Sequence, residues 1–310
     1  MTALHDNTYD AILCVGPNPN DIVVYAIQSI YHFSDAKTIF VITSSKNFPF
    51  FSKLLTSVLT LVLIDEDTLI RETRLTTVQE SLLELGASKK RAGWYFQQFL
   101  KIAIAKHPEI STHYLIWDSD SIMLNHLDFF HSDGTYVNPA KENHTPYFDF
   151  IKRVLDIDKQ VDYSFISEHF MVKTAYMKEL LEQFNTSAPK NSSWCQYILT
   201  QIPVDDLNAS GFSEYETYGN FTVARHPTYL KSRILHSTRN AVNYYGLTPS
   251  TSDIYSLMQQ QYDFVTFETW QPTSKRRIYR YKAVALIKYA LDTLFQSNPV
   301  LREHAKSLTH

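Results

Sequence analysis

The sequence predicts an α/β protein whose central sheet is mostly parallel, and three observations carry that reading. Short apolar, β-branched runs alternate with segments whose apolar residues recur at helical spacing. Turn residues bound several of those runs. The chain has 310 residues and is 44% hydrophobic, enough to bury a large core as one domain or two closely packed halves.

Tyr9 to Val15 reads as a buried strand, closed by the loop signal Gly16-Pro17-Asn18-Pro19. Asp21 is the expected cap of a helix in which Ile22, Tyr25, Ala26, Ser29 and Ile30 share a face. Thr38 to Thr43 is a second strand, which completes a β-α-β start. The longest apolar stretch, Leu54 to Ile64, is broken by Thr56, Ser57 and Thr60 and is too short to cross a bilayer; its end, Thr60 to Ile64, is a third strand. Gly93 to Lys106 reads as a helix and Tyr114 to Trp117 as a fourth strand. Such alternation places helices on both faces of a parallel sheet. Beyond Asp120 the pattern loosens, with helices expected at Phe148 to Leu155 and Thr174 to Phe184, and this half is expected to supply substrate contacts.

Composition removes several function classes. A net charge of -3 gives no general attraction to nucleic acid, and no nucleic-acid partner is expected. Met1 to Asp10 lacks the basic and apolar regions of an export signal. Cys14 and Cys195 are too isolated for a disulfide framework or a zinc knuckle, so a cytoplasmic setting is expected. None of the 7 glycines belongs to a G-x-G-x-x-G or Walker loop, so a bound diphosphate would have to be met by a cation or by side chains.

The strongest local signal is Tyr114-Leu-Ile-Trp-Asp118-Ser-Asp120, an apolar strand running into two carboxylates. Strand ends are where open α/β sheets hold ligands, and paired hard oxygens suit Mg²⁺ or Mn²⁺. The competing reading is a solvated turn. On the Gly93 to Lys106 helix, Trp94, Gln97, Gln98 and Lys101 form a polar stripe that faces either a ligand or bulk solvent. Ser213 and Glu216 have capping-box spacing, while Glu214 is the better placed to act as a base on an acceptor hydroxyl; both glutamates are candidate catalytic carboxylates. His236 is a candidate third metal ligand beside Asp118 and Asp120, and His144, Glu168 and His169 are candidate acceptor contacts.

Three segments, Gly93-Trp-Tyr-Phe-Gln-Gln-Phe-Leu-Lys101, Trp117-Asp-Ser-Asp120 and Ser213-Glu-Tyr-Glu-Thr-Tyr-Gly219, resemble those of GT-A glycosyltransferases. The likeness is greater to a bacterial group acting in lipopolysaccharide and capsule synthesis, and it extends from Tyr9 to about Trp270. It implies a GT-A, Rossmann-like domain over residues 1–272, with a donor half to about 125 and an acceptor half from about 126. It also implies a nucleotide-sugar donor, a glycan or lipid-linked glycan acceptor, and Mn²⁺ or Mg²⁺. Asp120 would bind that cation, Asp118 the donor ribose or the cation, and Lys101 would lie near donor sugar or phosphate. Inversion and retention both stay open, since a retaining enzyme needs no base at Glu214.

Two other functions compete. Asp118-Ser-Asp120-Ser-Ile faintly resembles the nucleophile motif of aspartate-dependent phosphatases, and the many aromatics would also suit a non-catalytic glycan- or nucleotide-binding protein. Residues 273–310 read as a separate helical tail, in which Lys275, Arg276, Arg277, Arg280, Lys282 and Lys288 accompany Val284, Ile287, Leu291 and Leu294. That tail is expected either to contact the cytoplasmic face of the inner membrane peripherally or to pack on the catalytic domain.

Overall fold

A computed structural model describes residues 8–58, 60–268 and 274–297. Its residues fall into two compact units. The first takes in the described parts of Met1–Pro19, Ser34–Ser119 and Asp128–Ile234; the second takes in those of Asn20–Phe33, Asp120–Leu127 and Leu235–His310.

The first unit is built on a five-stranded sheet formed by β1 (Tyr9–Cys14), β2 (Ile39–Thr43), β3 (Leu61–Asp65), β4 (His113–Trp117) and β8 (His169–Lys173). Its order is β3-β2-β1-β4-β8. The first four strands run parallel and β8 is antiparallel to β4. β1 and β2 are buried at every position, the pattern of strands covered on both faces, which is why they read as unbroken apolar runs. The order of strand addition reverses at β1, with β2 and β3 on one side and β4 on the other. Ligand crevices of open α/β sheets form outside the carboxyl ends of strands at such a switch, and Asp118 follows β4 there.

Two helices matter most. Ala92–Ala103, continued by a 3₁₀ turn at Ile104–Lys106, buries Tyr95, Phe96, Phe99, Leu100 and Ile102 and is tied to β4 by the Tyr114 hydroxyl donating to the Lys101 carbonyl at 3.1 Å. Glu214–Arg225 is buried continuously from Glu214 to Thr222, although half of those residues are polar, so its polar groups must find partners inside the protein. Ser213 caps it, accepting from Glu216 N at 3.3 Å. Gly219 lets this helix approach Phe165: a Cβ there would lie 2.3 Å from the ring. Elsewhere in the unit, β6 (Phe130–His131), β7 (Gly134–Val137) and β9 (Leu230–Ser232) make a small mixed sheet. The expected later helices are Thr145–Leu155 and Thr174–Ser187.

In the second unit, β5 (Ser121–Met123), β10 (Ser237–Thr238) and β11 (Phe264–Thr266) form a sheet of order β10-β11-β5. Helix Asp21–Phe33 packs on it, Ser29 Oγ accepting from Met123 N at 3.0 Å. Asn20, not Asp21, caps this helix, its Oδ1 accepting from Ile22 N at 3.0 Å; Asp21 is already the first helical residue. The tail is a helix over Lys275–Ser297, and residues 298–310 lie outside the described part. It does not pack through the apolar residues that the spacing singled out: Val284, Ile287, Leu291 and Leu294 are 45%, 59%, 49% and 62% exposed. The packed side is Tyr281 against Tyr244, the fully buried Ala285, and Tyr289 against Tyr255. A small residue flanked by tyrosines fits the surface offered by helices Val242–Tyr245 and Thr251–Gln259, whereas the bulkier aliphatics fall on the other side. Among the described residues no helix is long and apolar enough to cross a membrane.

Candidate active site

Lys101, in the last turn of Ala92–Ala103, reaches Asp118 Oδ1 at 2.7 Å and Glu214 Oε1 at 2.8 Å. Asp118 stands at the end of β4 and Glu214 opens helix Glu214–Arg225. Tyr215 closes the cluster, donating to Asp118 Oδ1 at 3.1 Å with its ring 4.7 Å from the ammonium. Burial by itself would strip the proton from Lys101, but Asp118 and then Glu214 hold its pKa well above the ordinary value, so it stays charged. Burial first, then the Asp118 charge, pushes the Tyr215 phenol up, so it remains a donor. Two carboxylates thus share one ammonium inside the protein. Access differs sharply: the Lys101 and Glu214 side chains are each 5% exposed and that of Asp118 is 26%.

The polar stripe on Ala92–Ala103 therefore splits. Gln98 and Lys101 are buried, and Gln98 Oε1 accepts from Glu214 N at 3.0 Å, so these two face the polar centre and not bulk solvent. Trp94 and Gln97 are half-buried, with Trp94 edge-on to Tyr95 and the Arg91 guanidinium 5.8 Å from its ring. At the end of β1, burial pushes the Cys14 thiol up to about 12, which leaves it a packing group, not a nucleophile.

Glu214 and Glu216, the two candidate catalytic carboxylates, are both buried. Glu214 is bonded to Lys101 at 2.8 Å. Glu216 is enclosed too: it accepts from Ser164 Oγ at 2.5 Å, Phe165 N at 3.2 Å and Asn220 Nδ2 at 3.2 Å. It anchors its helix to the strand approach at Ser164 and does not turn back to Ser213, so only half of the capping box forms. Burial raises its pKa despite those bonds.

Beside Asp118, the β4–β8 register sets Trp117 against His169, and Asp118 N donates to Glu168 O at 2.9 Å. Glu168 has φ 63, a left-handed backbone that a non-glycine residue adopts at a cost and that clusters at functional sites. His169 is buried between Trp117 at 5.3 Å and Phe129 at 5.9 Å, and burial lowers its pKa to about 4. It is a neutral imidazole packed in the core. His144 is half-buried; its Nε2 donates to Ser210 O at 2.8 Å, which ties it to the loop leading into Ser213.

His236 does not join Asp120 in a metal shell. Asp120 O accepts from Phe267 N, beyond one end of β11, while His236 is bonded to Asp263, before the other end. Four residues of extended chain span roughly 13 Å, and β10 and β5 flank β11 about 10 Å apart, beyond the combined reach of the two side chains. His236 instead stacks on Tyr262 at 4.4 Å with Nδ1 donating to Gln261 O. At the Asp120 end the sheet carries an ion pair between Arg239 and Glu268 at 2.5 Å, which nothing in the local sequence pattern announces. No group of three His, Cys, Asp or Glu that could hold a metal occurs among the described residues. Tyr215, inside the segment Ser213 to Gly219, joins the cluster although no spacing or capping signal in the sequence singles it out.

Fold and cluster together define an α/β protein with an ion-paired polar centre at the carboxyl end of a parallel sheet. Residues 20–273 match the DUF6492 family, described as a family of unknown function, and the chain belongs to that family. No curated protein matches it. Among solved structures it is similar to mouse xyloside xylosyltransferase 1 in its apo form, at 11% identity and a TM-score of 0.49 over 86% of this chain and 100% of that one. It is similar to the apo-form glycosyltransferase GlyE of Streptococcus pneumoniae TIGR4 at 14% identity and 0.39, covering 93% of this chain and 64% of that one. A third likeness, at 9% identity and 0.41, is to the galactosyltransferase LgtC in complex with donor and acceptor sugar analogs, covering 89% and 95%. At these identities and scores the likenesses bear on no residue's role.

Proposed function

We propose that this protein is a GT-A-type glycosyltransferase that moves a sugar from a nucleotide-sugar donor to a bacterial surface glycan, free or lipid-linked, of the lipopolysaccharide, O-antigen or capsule kind. One observation carries the reading. Of the three segments whose residues resemble glycosyltransferases, the third lies more than 90 positions beyond the other two, yet Lys101 of the first bonds at once to Asp118 of the second and Glu214 of the third. They meet at the carboxyl end of β4, next to the strand-order switch.

Asp118 is the accessible member, its bonds to Lys101 and Tyr215 both made through Oδ1, and it is the group we assign to the donor. Lys101 and Glu214 are positioning residues that fix the Asp118 rotamer. The donor set for a divalent cation, Mn²⁺ or Mg²⁺, is small: Asp118 and Asp120, two residues apart. That suits a cation bound jointly by one or two carboxylates and substrate phosphates better than one caged by protein alone. Such a cation supplies positive charge for the departing diphosphate. Trp94, Gln97 and His144 are the remaining half-buried candidates for sugar contacts.

A thermal-shift screen of nucleotide sugars, with Mn²⁺ and with chelator, tests this, because a ligand that binds only the native state raises its stability. A cation-dependent rise with one nucleotide sugar is expected. No rise with any of them, together with phosphate release from a phosphomonoester, would replace the proposal with phosphotransfer.

A further inference from the structure

The tail helix Lys275–Ser297 presents two different surfaces. On its packed side Lys282 is neutralised by Asp253 at 3.2 Å and donates to Thr248 O at 2.6 Å, while Asp292 accepts from Tyr255 OH at 3.1 Å. Its outer side carries Lys275, Arg276, Arg277, Arg280 and Lys288, all exposed and without an ion-pair partner among the described residues. The helix has one acid, Asp292, and that acid is on the packed side. Val284, Leu286, Ile287 and Leu291 are also on the outer side, 45% to 60% exposed. Large aliphatics on an open helix face ordinarily mark a contact surface.

Charge and apolarity are largely separated along the axis. Four of the five cations, Lys275, Arg276, Arg277 and Arg280, cluster in the first two turns, and the aliphatics, with Lys288 among them, follow about 15 Å further along. A second copy of the chain does not complement this face. Parallel pairing would set cations against cations; antiparallel pairing about the helix midpoint would bring the aliphatics together but leave the basic first turns of each copy facing residues 292–297 of the other, whose one acid, Asp292, is held on the packed side by Tyr255. An anionic bilayer complements both parts, with headgroup phosphates at the basic turns and acyl chains against the aliphatics.

We infer that the outer face of the tail helix is a docking surface for an anionic lipid bilayer. The inference stands apart from the proposed sugar transfer, because binding to vesicles is measured without any reaction. The test is co-sedimentation of the intact protein with phosphatidylcholine vesicles containing about 30% phosphatidylglycerol, and with pure phosphatidylcholine vesicles. Binding to the anionic vesicles at low salt, weakened by added salt, is expected, with little binding to the neutral ones. The triple variant Arg276→Ala, Arg277→Ala, Arg280→Ala is expected to lower the partition coefficient about a hundredfold, since each cation near the surface contributes roughly fivefold. The pair Ile287→Asp, Leu291→Asp is expected to abolish binding at any salt. All five positions are exposed, so the variants should melt with the wild type. Intact protein that leaves anionic vesicles unbound at low salt overturns the inference. So does binding that neither variant changes, or a dimer in solution that the Ile287→Asp, Leu291→Asp pair dissociates, which would show that a second copy covers this face.

Discussion

Lys101 and Glu214 form an ion pair at 2.8 Å with only 5% of either side chain exposed, and they are 113 residues apart in the chain. Such a pair is costly to bury and more costly to break, because the group left behind has neither partner nor water. Here a third charge, Asp118, shares the same ammonium.

Lys101→Met should therefore cost about 3–5 kcal/mol of stability in denaturant titration. Removing the stranded acid as well, in Lys101→Met with Glu214→Leu, should recover a large part of that loss. A single-variant loss under about 1 kcal/mol, or losses that simply add, would mean that the cluster is solvated and not enclosed.

His169 gives the fold an acid limit. In the native state it takes up a proton only near pH 4, whereas an unfolded histidine does so near 6.5. Between those values the unfolded chain binds more protons, so this residue's contribution is complete above pH 6.5 and is lost as pH falls toward 4, by roughly 3 kcal/mol. Glu66, pushed up to about 7 by burial and then by Asp67 and Asp65, slopes the other way. The readout is therefore the difference between wild type and His169→Phe, which should narrow steadily from pH 6.5 down to 4. A pH-independent difference would place a charged or exposed imidazole there.

Gly219→Ala tests the helix contact at Phe165. In an open helix this change gains up to about 1 kcal/mol from propensity. Here the new Cβ would lie 2.3 Å from the Phe165 ring, so a net loss of about 1–3 kcal/mol is expected. A higher melting temperature would show that the ring gives way freely.

The first four strands were legible because β1, β2 and β4 are covered on both faces and so read as apolar runs. β5, β10 and β11 were not. They are two or three residues long, and β5 pairs with a strand more than 140 positions away, so neither periodicity nor length marks them. The same gap explains His236: an apolar run does end there, but its placement depends on the β10–β11 register, which no local pattern records. Lys101, Asp118 and Glu214 were each legible as polar groups at helix or strand ends. What covers them was not, since spacing fixes a face but not its neighbour, and so Glu214 read as an open base. In the tail, the residues at helical spacing drew attention by their size, while the buried seam runs through Ala285 and tyrosines.

Release of nucleoside diphosphate from a nucleotide sugar, followed in the intact protein and in Asp118→Asn, tests the central claim most directly. The wild type should release it in a cation-dependent manner, and Asp118→Asn should fall by a factor of at least about 100, the scale on which one precisely placed electrostatic contact acts. Equal rates for wild type and Asp118→Asn with the nucleotide sugar that binds would contradict the assignment of this cluster as the donor site.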